Sequence, residues 1–160
     1  MQRTEAATDK EQLRGILNAV KYLVLLGGDE GRNMLVARLK ELQQKRDVLS
    51  PELKERSRRL SSTAPPGEQE SFEAGVMRLN RLLSVENTIL DAFADAGDLR
   101  LRDTVLMRLG DDEDMRDRYI EYFKATGRQD PVVRACLEKM LEAPASPATR
   151  RSLKHFFEAQ

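Results

Sequence analysis

Residues Asp130–Leu141, DPVVRACLEKML, decide the fold class. Asp130 is a helix-capping residue type, and Pro131 brings a fixed φ suited to the first helical position. Val133, Leu137, Met140 and Leu141 then recur at the spacing of one helical face. The same plan begins at Asp98, where DLRLRDTVLMRL sets Leu101, Val105, Leu106 and Leu109 on one side. Looser copies start at Asp29 (DEGRNMLVARL) and Ser146 (SPATRRSLKHFF). A polar cap, a turn with an arginine and an apolar stripe recur in each, which predicts helices stacked side by side.

Toward the N-terminus the pattern continues. Thr8 and Glu11 make a capping-box pair, and Leu13, Ile16, Leu17, Val20, Leu23 and Val24 follow at helical spacing until Gly27-Gly28 stops the run. A second helix from near Asp29 carries Leu35, Leu39 and Leu42, and the short connection makes the two an antiparallel hairpin. Ser50 and Pro51 open a brief, charged third helix, PELKERSRRL. The prolines and glycine of SSTAPPGEQE read as an exposed linker. The expected organisation is therefore a hairpin plus short third helix over 1–60, a linker over 61–70 and a C-terminal helical-repeat unit over 71–160. The linker is short enough for the two parts to share one core.

Beyond it, Phe72, Val76, Leu79 and Leu83 begin a helix that either runs on through Leu90 and Phe93 or restarts at Ser84. Gly97 ends it. Met115, Tyr119, Tyr122 and Phe123 form the buried face of the helix after the acidic DDED, and Leu153, Phe156 and Phe157 that of the last. No segment alternates with a period of two. The fold class is all-α: antiparallel helical hairpins stacked as a short irregular α-solenoid or a helical bundle of about seven or eight helices.

Asp98 and Asp130 lie 32 residues apart, and superposing them aligns Leu101 with Val133, Arg102 with Arg134, Val105 with Leu137 and Leu109 with Leu141. Paired helices repeating at such a period mark α-solenoids. The string Asp130-Pro131-Val132-Val133-Arg134 resembles the start of the second helix in HEAT-type repeats, and Leu101-Arg102 with Leu106 and Leu109 fits the same helix. The resemblance implies that Asp98, Arg102, Asp130 and Arg134 bridge neighbouring repeats while the apolar positions fill the core. It covers the helices at 98–109 and 130–141 well. Their partners, over 71–95 and 112–125, differ in length and lack the proline often seen in the family's first helix. An irregular bundle whose helices share caps is the alternative.

Composition bounds the rest. A chain of 160 residues fits one domain that buries roughly two-thirds of its unfolded surface. The 34% of charged residues suits helices with long solvated faces. Equal numbers of basic and acidic residues, 27 each, argue against a protein whose main affinity is for phosphate. A single cysteine, Cys136, excludes an internal disulfide and a cysteine-cluster metal site. No apolar run approaches the ~20 residues that span a bilayer, and MQRTEAATDKEQ has no secretory apolar region. The expected location is the cytoplasm.

Chemistry is thin. His155 is the only histidine and lacks a second imidazole for a zinc or relay site. Cys136 sits beside Leu137 as a small core residue with no base to activate it. The carboxylates at 111–114 and at Asp91, Asp95 and Asp98 lack a calcium-loop pattern, so capping and solvation account for them. Gly27-Gly28-Asp29-Glu30-Gly31 carries an acidic pair that would repel phosphate. No catalytic, cofactor-binding or metal-ligating residue is expected.

Two surface features remain. Lys54, Arg56, Arg58 and Arg59, with Arg150, Arg151 and Lys154, form basic ridges. Tyr22, Leu25 and Leu26 widen the first helix's stripe around its circumference, and Phe156 and Phe157 leave an apolar end where a terminal repeat needs a polar cap. The expected function is a non-enzymatic protein–protein interaction module, an adaptor, scaffold or regulatory subunit. Its partner is another protein's helix or peptide, or a second copy, met by Tyr22, Leu25, Leu26, Arg150, Arg151, Lys154, Phe156 and Phe157. The alternative is a nucleic-acid-binding helical protein using the ridges at 54–59 and 150–154.

Overall fold

The computed structural model describes residues 2–60, 65–142 and 146–158, and of residues 2–9 the backbone alone. Seven α-helices are described: α1 (Gln2–Leu26), α2 (Gly28–Arg59), α3 (Pro66–Asp95), α4 (Arg102–Arg108), α5 (Arg116–Thr126), α6 (Pro131–Glu142) and α7 (Pro147–Glu158). Among the described residues there is no strand, so the architecture is all-α.

Several boundaries move from their expected places. α1 begins at Gln2, which puts Thr8 inside the helix rather than at its cap. Nothing in QRTEAATDKEQ breaks a helix, and Ala, Glu, Gln and Lys favour one. The reversal into α2 does fall on Gly27-Gly28. Gly28 holds a left-handed φ of 57°, and a Cβ on Gly27 would stand 2.5 Å from the Leu23 carbonyl oxygen. The third short helix is absent because α2 continues through Pro51. The ring removes one backbone hydrogen bond, a cost of about 3 kcal/mol in a helix interior. Buried Arg46, Ser50 and Leu53 hold the helix on both sides of it.

Pro66 occupies the first turn of α3, so residues 66–70 of the expected linker are helical, while 61–64 lie outside the described residues, as does the Ala143-Pro144 break. α3 runs unbroken to Asp95. The Ser84 hydroxyl donates to the Asn80 carbonyl (2.9 Å) and the Thr88 hydroxyl to that of Ser84 (2.9 Å), which keeps both side chains inside the helix instead of starting a new one. The segment from Asp98 is a 3₁₀ turn, Leu99–Leu101, followed by the seven-residue α4.

The odd-numbered helices form a row, α1 against α3, α3 against α5 and α5 against α7. α2 flanks α1 and α3, α4 packs on α5, and α6 on α7. One apolar core runs through the stack, from Val20 and Leu39 through Ile89 and Phe93 to Phe123, Leu137 and Phe156. Val133 and Leu137 of α6 are buried as their spacing implied; Leu141 is exposed and Met140 only half-buried. Cys136 is likewise half-buried against the core.

Arginine–aspartate bridges join the even-numbered helices. Arg32 of α2 donates to Asp98 (3.0 Å), Arg108 of α4 pairs with Asp47 of α2, and Arg102 of α4 donates to Asp130 at 2.5 Å. Asp130 also caps α6, accepting from the amides of Val132 (2.8 Å) and Val133 (3.2 Å). Arg102, and after it those two amides, outweigh partial burial and hold its carboxyl down at about 2 rather than 3.8. A depressed carboxyl contributes its stability above the unfolded value and loses it as pH falls through the folded one. The expected result is an acid-induced loss of stability between pH 3.8 and about 2 that is shallower in Asp130→Asn, followed by tryptophan-independent circular dichroism. Equal slopes in both proteins would refute it.

Candidate functional site

Tyr22, Leu25 and Leu26, on the last two turns of α1, are 64%, 70% and 79% exposed. On the same helix Val20 and Val24 are buried, and they mark the side turned to α2 and α3. At ~100° per residue, Tyr22 lies almost opposite Val20, with Leu25 on one side of it and Leu26 and Ala19 on the other. Ile16, 41% exposed, extends the apolar surface toward the buried face. These side chains form an oily strip along the outer side of the first helix in the row.

The residues expected at the other end behave differently. Phe156 is 1% exposed and sits in the core, so it is corrected from partner-binding to structural. The cause is its place at i+3 from Leu153 on the single face that α7 turns to α5. Phe157 is half-buried, edge-on to Phe156 and covered by the Arg134 guanidinium 5.4 Å from its ring centre. Arg150, Arg151, Lys154 and His155 are exposed. α7 therefore turns a polar, basic surface outward, and of the two apolar ends expected from the sequence only the one on α1 is exposed.

The basic ridge at 54–59 is largely matched. Lys54 pairs with Asp114 (3.4 Å), Arg58 and Arg59 pair with Glu55 (3.7 and 2.7 Å), and Arg56 donates to the Glu68 carbonyl (3.4 Å). On α7, Lys154 meets Glu158 at 3.5 Å. These are surface pairs of small energetic value, but they dilute the field a polyanion would feel.

A cleft of about 430 Å³ opens between α2, α4 and the loop after α4, with Ser50, Lys54, Met107, Arg108 and Asp111 on its walls and Arg46 and Asp112 at its base. Beneath it is a buried ionic cluster. The Arg46 guanidinium donates to both Glu86 oxygens (2.9 and 3.3 Å) and to Asp112 (2.8 Å). The Tyr119 hydroxyl donates to Asp112 (2.8 Å) and accepts from the Gln43 amide (3.3 Å). Burial pushes the Glu86 carboxyl up against the pull of Arg46. Burial would raise Asp112 too, but Arg46 and then Tyr119 hold it below the ordinary carboxylate range. Burial, followed by the Asp112 charge, raises the Tyr119 phenol. Every charge at the cleft base is thus satisfied internally, and a ligand there would have to break those bonds before making its own. Among the described residues no three His, Cys, Asp or Glu side chains are grouped to hold a metal ion.

This cluster is what sequence reasoning missed. Sequence position alone reads Asp112 as a solvated carboxylate at the head of a helix and gives Arg46 and Glu86 no role. A signal was present, however: Arg46 and Ser50 continue the stripe of Leu35, Leu39 and Leu42, and Glu86 continues that of Val76, Leu79 and Leu83. A charge falling on an apolar stripe implies a buried partner. The chain matches no family model, and neither a curated protein nor a solved structure matches it.

Proposed function

We propose that the chain is a non-enzymatic protein–protein interaction module, an adaptor, scaffold or regulatory subunit working in the cytoplasm, that binds another protein along the outer side of α1. The observation that carries this is the exposure of Tyr22, Leu25 and Leu26 in adjacent turns of a helix whose opposite side is already buried. Large apolar side chains grouped on a surface cost free energy in water, and covering them releases it. Aromatic and leucine anchors on a rigid helix also bind at low entropic cost. The stack behind α1 supplies the rigidity. We read α4 and α6 as the second helices of HEAT-like repeats, with Arg102–Asp130 and Arg32–Asp98 in the bridging role that resemblance implies; the row of odd-numbered helices supports it.

Among the described residues no helix is long and apolar enough to cross a membrane. Nucleic-acid binding has less support, because the 54–59 ridge is paired with carboxylates and the net charge is zero. The test is photo-crosslinking in the native host from a reactive residue placed at Tyr22 and, separately, at Arg151. A discrete adduct is expected from position 22, lost when Leu25→Ser and Leu26→Ser are added. Adducts from position 151 alone, or adducts indifferent to those serines, would refute the assignment to α1.

A further inference from the structure

The buried cluster satisfies its hydrogen bonds but does not balance its charge. Arg46 bonds Glu86 and Asp112, while Arg108 bonds Asp47 and approaches Asp112 at 3.6 Å. That network joins two guanidiniums to three carboxylates, an excess of one negative charge. Its neighbours do not cancel the excess. Lys54 is taken by Asp114 (3.4 Å), and the exposed Asp111 and Glu113 add to it from the wall of the cleft. Glu86 and Arg46 are only 0% and 3% exposed. A surplus charge out of water is costly, and a proton removes it.

We infer that this cluster is a proton-operated latch: it takes up one proton, on the Glu86 carboxyl, and thereby holds the 109–115 loop more firmly to α2. The groups that face Glu86 are Arg46 from α2, Arg108 from α4, Asp112 from the loop and Tyr119 from α5. Among the described residues α1 makes no bond to the cluster. Burial pushes the Glu86 carboxyl up and Asp112 adds to it, while Arg46 and then Arg108 pull the other way without offsetting burial. Against its own burial, Asp112 is held low by Arg46 and Tyr119 and stays ionised.

The bonds show what the proton changes. Arg46 Nη2 is shared, donating to Glu86 Oε2 (3.3 Å), to Asp112 Oδ2 and, at 3.5 Å, to the Tyr119 hydroxyl. The proton comes from water at the cleft base and settles on Oε2, because Oε1 keeps the shorter bond from Arg46 Nε (2.9 Å). Nη2 is then left to Asp112, and the repulsion between Glu86 and Asp112 is gone. Asp112 belongs to the loop, so the gain is passed to the loop's hold on α2. Unfolded, Glu86 takes its proton at the ordinary 4.5; folded, it does so above that value. Between the two the folded chain binds more protons, so stability rises as pH falls from neutrality toward 4.5. Asp130 works in the opposite direction, but below 3.8.

Two measurements on the whole chain test the latch. The Glu86 carboxyl carbon, followed by NMR, is expected to titrate above 4.5. The amides of Asp111 and Asp112, bonded to the Arg108 carbonyl at 3.2 and 3.0 Å, report on the loop by hydrogen exchange. Their protection, corrected for the intrinsic exchange rate, should rise severalfold over the same titration. Glu86→Gln keeps an acceptor for Arg46 Nε and cannot titrate, so it should remove that rise. Asp47→Asn tests the charge count: with two cations and two carboxylates left, Glu86 should titrate closer to 4.5. The Asp47 side chain is 47% exposed, so this variant folds even where Glu86→Gln does not. A Glu86 carboxyl titrating at or below 4.5 would overturn the proton site. Raised titration with unchanged loop protection, or a rise that survives Glu86→Gln, would overturn the latch. Titration unmoved by Asp47→Asn would overturn the charge excess as its cause.

Discussion

Replacing Arg46 by methionine is expected to lower the free energy of unfolding by about 3–5 kcal/mol, the scale for removing one partner of a buried ion pair. Arg46 is the hinge of a three-element contact: α2 provides it, α3 provides Glu86 and the loop before α5 provides Asp112. Glu86 is 0% exposed, so without the guanidinium its carboxylate has neither water nor a bonded cation. A second arginine, Arg108, is bonded to Asp47 and approaches Asp112 at 3.6 Å, and no hydrogen bond joins it to Glu86 among the described residues. Glu86 would then take up a proton, and the cost of burying its charge would become the cost of losing the cluster. Urea unfolding of Arg46→Met, Glu86→Leu and the pair gives the coupling directly. The double variant should be more stable than Arg46→Met alone, because removing both charges leaves no orphan. An Arg46→Met midpoint equal to that of the parent would show that the cluster is not closed by this residue.

Phe156→Ala is expected to cost about 3–5 kcal/mol, whereas Leu26→Ser should change stability by no more than about 0.5 kcal/mol. Both are large apolar residues near an end of the stack, and composition does not separate them. Phe156 lies in the same core as Leu153 and Tyr119, so truncation opens a cavity against neighbours that cannot collapse into it. Leu26 is already in water and loses only surface. Thermal melts should therefore fall by roughly 6–20 °C for the first and stay nearly fixed for the second, given ~2–4 °C per kcal/mol in a chain of this size. A large drop for Leu26→Ser would make that side chain part of the core and remove the main support for an open α1 face.

The apolar stripes were legible because helical periodicity is a local property. Val105, Leu109, Tyr119, Phe123, Val133 and Leu137 are all buried where their spacing put them. Asp130 was legible as a cap for the same reason, since the amides it bonds are two and three residues away. Its second bond, to Arg102, is 28 residues off, and no local rule pairs those two positions. Pro51 misled because its effect on a helix is a bias of a few kcal/mol, which packing by Ser50, Leu53 and Arg46 outweighs. Phe156 and Leu26 show the limit of the stripe argument. Periodicity says that a face is apolar, and not whether a neighbour lies against it.

The order of residues determined that this chain is helical, where most helices bury a side, and that its charges balance. The three-dimensional arrangement alone decided that Arg46, Glu86 and Asp112 meet, that α7 closes one end with a polar surface, and that α1 leaves the other end open. The division follows from range. Caps and stripes are set by contacts within one or two turns, while ion pairs between helices and the covering of a face depend on which helices the packing brings together.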